Sequence, residues 1–577
     1  MDIKAKQVTD EELLSKLEYY CNSAPRLQVE TLETILKHNA QVEYLLKHGL
    51  NARTDIESFK QYIPLSTYSD YTFEIQRLAD GEKSPILSPD PLLCMFFSSG
   101  TTSQQPKLIP HFDSELSRSG SNFVRQIAAA SVRKIFLPRH GSKSLSFMYA
   151  GKVMETKGGV EAMAATAYGL RNPQNQNMIS MYISPPQVFL GSEVQQQMYC
   201  HLLCGLRVAE AIDSIKAPYA YGLLKAFQLL ESRWQQLCED IKNGYISPTV
   251  VTDFAMRKNV EEQVLGEPKP EIAERVQQEC SKGEWRGIVG RLWPNARYVS
   301  CVMTGSMEQY YSQIRHYAGD VTLLGGDFLA SECAVGVNLD RIRPPQETLF
   351  TIVPTVAYYE FILVNDYGVP NTDIATVDLC NVEVGKMYEV VATTYRGLYR
   401  CRLGDIVRIR GFYGHTPQVE YISKVCNFGD IVNEKQLMDV MHKIGQIFSY
   451  ETEMEIVDFA CNADYSSSPN RIQLFWELKE LKNGPSLEEP QHYEKLFRRY
   501  CLLFDECLNE YEYIRMERIN KNLNPSELCI VRGGSFDAIM EVAMQKGATA
   551  SQYKPPRIIR NVHILNVLRT ATLIKVS

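Results

Sequence analysis

The sequence lacks most of the signatures that would sort a large enzyme at once. It has only 10 His, none at zinc spacing with Cys, which gives no support to a structural zinc site. Its 15 Cys are scattered without a C-x-x-C pair, pointing to reduced thiols in a large cytoplasmic protein rather than a disulfide framework. No run approaches eighteen apolar residues, so no membrane span is expected. No apolar stretch follows Met1–Lys6, so no signal peptide is expected. A formal charge of -7 leaves no electrostatic footprint for nucleic acid. Internal repeats and low-complexity tracts are also missing. Neither Gly151-Lys152 nor Gly385-Lys386 completes a Walker A loop, and G-x-G-x-x-G, G-x-S-x-G and H-E-x-x-H do not occur.

What is there is globular: 45% apolar and 22% charged residues over 577 positions, too long for one core and therefore two or more domains. The apolar run Leu92-Leu93-Cys94-Met95-Phe96-Phe97 has the length and aromatic content of a buried strand. It breaks into Ser98-Ser99-Gly100-Thr101-Thr102-Ser103, five hydroxyls in six positions around one glycine. Gly100 permits a left-handed turn, and freed N–H groups with hydroxyls make a concavity suited to a triphosphate. A plain Ser/Thr surface loop is the competing reading.

Along the chain, Thr9-Asp10-Glu11-Glu12 has capping-box spacing before a helix, and a second helix is predicted from about Leu27 toward Leu46. Val188-Phe189-Leu190 reads as a strand and Ser192 as the cap of the next helix, whose His201 reads as a satisfied core residue. A core helix is predicted from Tyr219 to Lys242. From Arg291 the texture changes to short strands, so an α/β body with a large sheet in its second half is expected. The polar stretch Ser423–Asp430 reads as a linker to an independent α+β unit. The expected division is residues 1–422, a hinge at 423–430, and a smaller domain at 431–577.

Three further stretches carry chemistry. In Asp327-Phe328-Leu329-Ala330-Ser331-Glu332, a carboxylate beside a hydroxyl at a strand mouth suits nucleotide-bound Mg²⁺, which takes one or two carboxylates plus phosphate oxygens; a solvated Glu opening a helix is the alternative. In Gly397-Leu398-Tyr399-Arg400-Cys401-Arg402-Leu403-Gly404-Asp405, an Asp at a turn can accept both hydroxyls of a ribose, or form a turn with an Arg salt bridge. In Gly547–Arg557, two prolines stiffen the loop that carries Lys554.

Taken together, "SSGTTSQQPKLIP", "GLYRCRLGD" and "SQYKPPR" resemble the acyl acid–amido synthetases of the auxin-responsive Gretchen Hagen family, within the adenylate-forming, luciferase-like superfamily. The resemblance covers nearly the whole chain in the family's order. It implies an α/β fold: a large N-terminal domain of mixed sheets with a β-barrel-like region flanked by helices, plus a smaller mobile α+β C-terminal domain. It also implies that ATP is bound by Ser98, Ser99, Gly100, Thr101, Thr102, Phe328 on adenine, Ser331, and Asp405 on ribose with Arg402 as neighbour. Glu332 becomes the Mg²⁺ ligand and Lys554 the catalytic lysine. Arg125, on the helix after the hydroxyl loop, is the candidate partner of the acyl acid's carboxylate. Leu329 and Ala330 stand where the family has Gly and Ser, and are expected to shape the acyl pocket. The implied activity joins a small carboxylic acid (auxin, jasmonate, benzoate or similar) to an amino acid, with a monomeric protein and no nucleic-acid or membrane partner. An acyl-CoA ligase and a non-catalytic binder are the alternatives.

Overall fold

The structure, a computed structural model, describes residues 8–97, 107–172, 181–365, 368–371, 373, 375–425, 431–452, 454–464, 470–479, 493–545 and 548–577. Its first eight strands are β1 (Leu92–Phe97), β2 (Leu108–Phe112), β3 (Lys143–Ser146), β4 (Met154–Glu155), β5 (Glu161–Met163), β6 (Ile212–Tyr219), β7 (Tyr298–Val302) and β8 (Thr322–Gly325). They form two four-stranded sheets, ordered β2-β1-β5-β4 and β3-β6-β7-β8. The second is wholly parallel. Its strands and the helices Val194–Arg207 and Ala220–Asn243 share the largest apolar cluster, as a parallel sheet covered by crossover helices requires.

The sheet expected in the second half is present. Strands β9 (Phe328–Leu329), β10 (Ala334–Val337), β11 (Phe350–Ile352), β12 (Ala357–Val364), β13 (Val377–Asp378), β14 (Met387–Thr394), β15 (Cys401–Tyr413) and β16 (Thr416–Lys424) pair antiparallel. Their order is β13-β12-β14-β15-β16-β11-β10-β9. The region predicted to be barrel-like is thus an eight-stranded sheet whose end strands, β13 and β9, do not pair with each other. The C-terminal unit carries β17 (Glu455–Asp464), β18 (Arg471–Lys479), β19 (Glu527–Val531) and β20 (Thr572–Val576) in one sheet, with helices Glu434–Thr452 and Glu494–Asn509 on its core. The large N-terminal region and the smaller C-terminal one agree with the expected architecture. No helix of the described residues is long and apolar enough to cross a membrane.

Three local expectations are corrected. The helix predicted from Leu27 to Leu46 is two helices, Ala24–His38 and Glu43–Lys47. Asn39 ends the first by turning its side-chain amide back onto the Ile35 carbonyl at 3.0 Å, competition with the backbone typical of Asn. Val188–Leu190 is the end of a short helix, Pro186–Leu190, whose first position holds the φ-locked Pro186. Glu193, not Ser192, takes the N-cap of the next helix. The Thr9 capping box forms as predicted, at 2.8 and 3.2 Å, and His201 is fully buried in the core.

Candidate active site

The hairpin β15–β16 builds the centre of the site. Two bulges cancel along it, so Asp405 faces Lys424 across the ladder. The Asp405 carboxylate is buried, with Lys424 Nζ at 2.8 Å from Oδ1. Lys424 Nζ also donates to the Leu403 carbonyl at 3.2 Å. Burial works against the Lys424 ammonium, but the charges of Asp405, Glu332 and Glu434 outweigh it and hold its pKa above the ordinary value. Tyr421, two ladder pairs away, is pushed well above the phenol range by burial and then by Asp405. Its ring closes on Gly305, where a Cβ would lie 2.7 Å from Cε1 and where φ is +61°, so only glycine fits.

The two arginines before Gly404 are already committed to carboxylates. Arg400 is clamped by Glu360 at 2.9 and 3.0 Å and donates to the Lys60 and Ile63 carbonyls. Its φ of +46°, rare outside glycine, is held by that clamp. Arg402 bonds Glu389 at 2.7 and 3.0 Å across the β14–β15 ladder. Burial raises the Glu389 pKa, with Arg402 opposing it.

Glu332 sits half-buried in the loop between β9 and β10, closed by Ala330 N–H donating to the Cys333 carbonyl at 2.9 Å. Asp327 in the same stretch is spent on Arg341 at 2.7 Å, which leaves Glu332 as the carboxylate available to a ligand. Its charge acts on Tyr68, Cys401 and Lys424. No group of three potential metal-ligating side chains occurs among the described residues. A site with one carboxylate suits Mg²⁺ whose other ligands are phosphate oxygens and water. Phe328 is buried, its ring 5.6 Å from Phe350 and 5.5 Å from Tyr421. Its ring therefore belongs to the core under the site rather than to an open face for adenine. Leu329 is 57% exposed, Ala330 packs against the sheet core and Ser331 is half-buried beside Glu332.

Lys554 reaches this region on a strap. Upstream of it, Ser551 Oγ donates to the Tyr149 carbonyl at 2.8 Å and accepts the Tyr149 N–H at 2.6 Å. Ala550 and Tyr553 are buried in the core of the parallel sheet. Downstream, Cys461 N–H donates to the Arg557 carbonyl and Ile559 N–H to the Cys461 carbonyl, joining the strap to β17. Lys554 Nζ lies 4.5 Å over the Tyr219 ring at the end of β6. Arg557, fully buried, bonds Asp458 at 2.5 Å and donates to the Tyr310 hydroxyl at 2.6 Å, and that hydroxyl donates to Asp458 at 2.9 Å. Glu434 lies in the same crevice: burial raises its pKa against the pull of Arg557, Lys554, Arg560 and Lys424.

Comparison with known proteins decides the family at this point. Residues 13–323 match the GH3 family N-terminal domain, 350–424 the GH3 family central domain and 435–563 the GH3 family C-terminal domain. The chain belongs to the GH3 family. It is 36% identical to a jasmonoyl–L-amino acid synthetase, GH3.5 of Oryza sativa subsp. japonica, over 97% of this chain and 96% of that protein. It is 32% identical to the indole-3-acetic acid-amido synthetase GH3.10 of Arabidopsis thaliana, over 98% and 97%. The structure matches that of the GH3.15 acyl acid amido synthetase with a TM-score of 0.87 at 30% identity, covering 100% of this chain and 98% of that one.

Among the residues expected to serve this GH3 chain, Glu332, Ser331, Asp405 and, through Lys424 and Glu434, Lys554 converge on one region. Arg125 does not. It lies on the exposed face of the helix Glu115–Ile135, bonded to Asn122 at 2.8 Å, while Phe123, Val124 and Ile127 hold the buried face. Ser98, Ser99, Gly100, Thr101 and Thr102 lie outside the described residues, as do residues 426–430 of the linker and Gly547. The sequence reading missed Lys424, Glu434 and Tyr219. Only Lys424 had a usable signal: counting outward from the two-residue turn Gly414-His415 pairs it with Asp405.

Proposed function

We propose that this chain, an acid–amido synthetase by family, adenylates a small carboxylic acid with MgATP and passes the acyl group to an amino acid. The observation that carries this reading is the Lys554 strap, docked on Tyr149 and Tyr219 so that its ammonium joins the charges of Lys424, Glu434, Asp405 and Glu332. We place the division between the end of β16 at Lys424 and the helix beginning at Glu434, which narrows the hinge expected at 423–430, because Ser423 and Lys424 close β16 in the ladder.

In the first step a carboxylate oxygen bonds the α-phosphorus of ATP and pyrophosphate leaves. The acid is already ionised near pH 7, so this chain contributes alignment and charge rather than a base. Asp405 accepts the ribose hydroxyls, with Lys424 turning from Asp405 toward the phosphates. Lys554 offsets charge on the departing pyrophosphate. Mg²⁺, held by Glu332 together with phosphate oxygens, would supply further charge neutralisation there. In the second step the neutral amine of an amino acid bonds the acyl carbon, AMP leaves and the amine gives up a proton.

Jasmonate and indole-3-acetate are the first acids to try, because relatives at 36% and 32% identity are named for them. The test is pyrophosphate release from MgATP across an acid panel, followed by mass detection of product. Amide with AMP should form only when an amino acid is added. A thioester with CoA in place of the amino acid would move the reading to an acyl-CoA ligase. Nucleotide binding with no pyrophosphate for any acid would leave a non-catalytic binder.

A further inference from the structure

Three arginines lie within seven residues around the β14–β15 turn, and two of them are neutralised: Arg400 by Glu360 and Arg402 by Glu389. The third, Arg396, has no carboxylate within ion-pair distance among the described residues. Its Nε donates to Ser117 Oγ at 2.8 Å, tying the turn to the first turns of the helix Glu115–Ile135. The other cation nearby, Arg118, is paired with Asp113. Burial therefore acts on the Arg396 guanidinium with no carboxylate to offset it, and its pKa falls below the ordinary value. A half-buried guanidinium without a counter-charge is a ready partner for an anion from outside.

The surroundings supply a second, independent observation. His111 on β2 is 6% exposed, and its Nδ1 has no hydrogen-bond partner among the described residues. The ring is stacked 4.3 Å from Phe96 and set edge-on 4.7 Å from Tyr168. Burial first, then Arg396 and Arg118, push the imidazole down to about 3. It is neutral at any working pH, and a neutral imidazole can present one N–H as a donor. One guanidinium and one neutral donor against an aromatic wall suit a monoanion with an apolar body better than a polyphosphate. Cys94, before the hydroxyl loop, and Cys333, next to Glu332, both lie within the electrostatic reach of Arg396, so the cluster adjoins the site.

We propose that Arg396, with Ser117, Tyr168 and the His111 ring, forms a subsite that holds the carboxylate of one of the two small acids, the acyl acid or the acceptor amino acid. The inference rests on the reading of the chain as an acid–amido synthetase. It moves the role expected of Arg125 to a residue 271 positions further along the chain, from an exposed helix face to the turn before β15.

The experiment compares wild type with Arg396→Ala and Arg396→Lys. KM for the acyl acid is read from pyrophosphate release with jasmonate or indole-3-acetate, and KM for the amino acid from amide formation on presynthesised acyl adenylate. Arg396→Ala should raise one of these KM values at least tenfold with kcat changed much less, and Arg396→Lys should recover part of the loss. A rise for the acyl acid assigns the subsite to it, and a rise for the amino acid assigns it there. The methyl ester of the affected acid, tested as a competitive inhibitor, should bind wild type and Arg396→Ala alike. Ser117→Ala should raise the same KM by a few-fold, so the case can be decided even if Arg396→Ala does not fold. Both KM values within twofold of wild type in the Lys and Ser117 variants would overturn the subsite, as would equal weakening of acid and ester. Wild type that releases no pyrophosphate with any acid would sink the synthetase reading itself and this subsite with it. A working wild type with unaffected variants sinks the subsite alone.

Discussion

Two kinds of positioning meet at this site. Asp405, Arg400 and Arg402 are set by the eight-stranded sheet: ladder register chooses their faces, and Lys424, Glu360 and Glu389 hold their side chains. Lys554 belongs to no strand or helix. It is set by its strap, anchored upstream on Tyr149 and downstream on β17. The strap is further held by the Asp458–Arg557–Tyr310 network, and the helix Ser535–Gln545 before it is tied to the large region by Lys225 on Asp537 at 2.5 Å. The first arrangement is as permanent as the sheet, whereas the second lasts only while the two regions stay docked. A reaction in two steps can use that difference, because a group on a docked strap can be present for one step and withdrawn for the other.

The comparison predicts the largest effect at Lys554. Lys554→Ala should slow adenylation by about 10²–10³-fold, as loss of one preorganised electrostatic group does, with little change in ATP affinity. Amide formation from presynthesised acyl adenylate should largely recover. If adenylation in the variant ran at the wild-type rate, the docked strap would have no catalytic meaning. A chain ending at residue 425, which keeps β16 and the Lys424–Asp405 pair, should show the same selective loss in pyrophosphate release.

Asp405→Ala should act through binding instead, weakening ATP by about 1.5–3 kcal/mol through the loss of hydrogen bonds to a charged acceptor, measurable by nucleotide titration. Glu332→Ala should raise the Mg²⁺ concentration needed for half-maximal rate. Unchanged ATP and Mg²⁺ dependence in both variants would place the nucleotide away from the sheet.

Two buried groups, one in each region, should also respond oppositely to acid. Burial pushes His201 in the large region down to about 3. Its contribution to stability is complete above the unfolded value near 6.5 and is lost as pH falls, by about 2 kcal/mol at pH 5. In the C-terminal unit burial raises Glu477, which accepts the Gly534 and Phe536 N–H groups, so mild acid should favour that fold. Thermal midpoints of wild type and His201→Gln between pH 7 and 5 check the sign: the substitution should flatten the decline. A steeper decline in the variant would refute it.

The smallest effect is expected at the docking contact. Tyr310→Phe removes the hydroxyl bonded to Asp458 and Arg557, and should cost about 1 kcal/mol. Adenylation should slow several-fold with unchanged ATP affinity in a nucleotide titration. An equal loss in both would mean that Tyr310 serves the fold as a whole rather than the docking.

Much of this was legible beforehand, where the signal is local or carried by a long motif. The core helix Ala220–Asn243 and the change to short strands in the second half follow from apolar spacing, because a period of 3.6 or 2 is written in consecutive residues. Glu332, Asp405 and Lys554 were named from motifs of several residues each. Short segments were not legible. Val188–Leu190 offers three apolar residues, too few to separate a strand from a helical turn, and the packing around Pro186 chose the turn.

What only the tertiary structure decided is who neutralises whom. Nothing in the order of residues says that Glu360 and Glu389 take Arg400 and Arg402 while Arg396 is left with Ser117. Nor does it say that Arg125 faces outward while His111 is walled in by Phe96 and Tyr168. Charge compensation depends on through-space distance in a medium of low dielectric. Partners separated by 40 residues, as in Arg400–Glu360, or by 279, as in Arg396–Ser117, meet only once the sheets have been stacked. The sequence determined the family, the periodic elements and the chemistry available; the fold determined which of those charges remained open to a substrate.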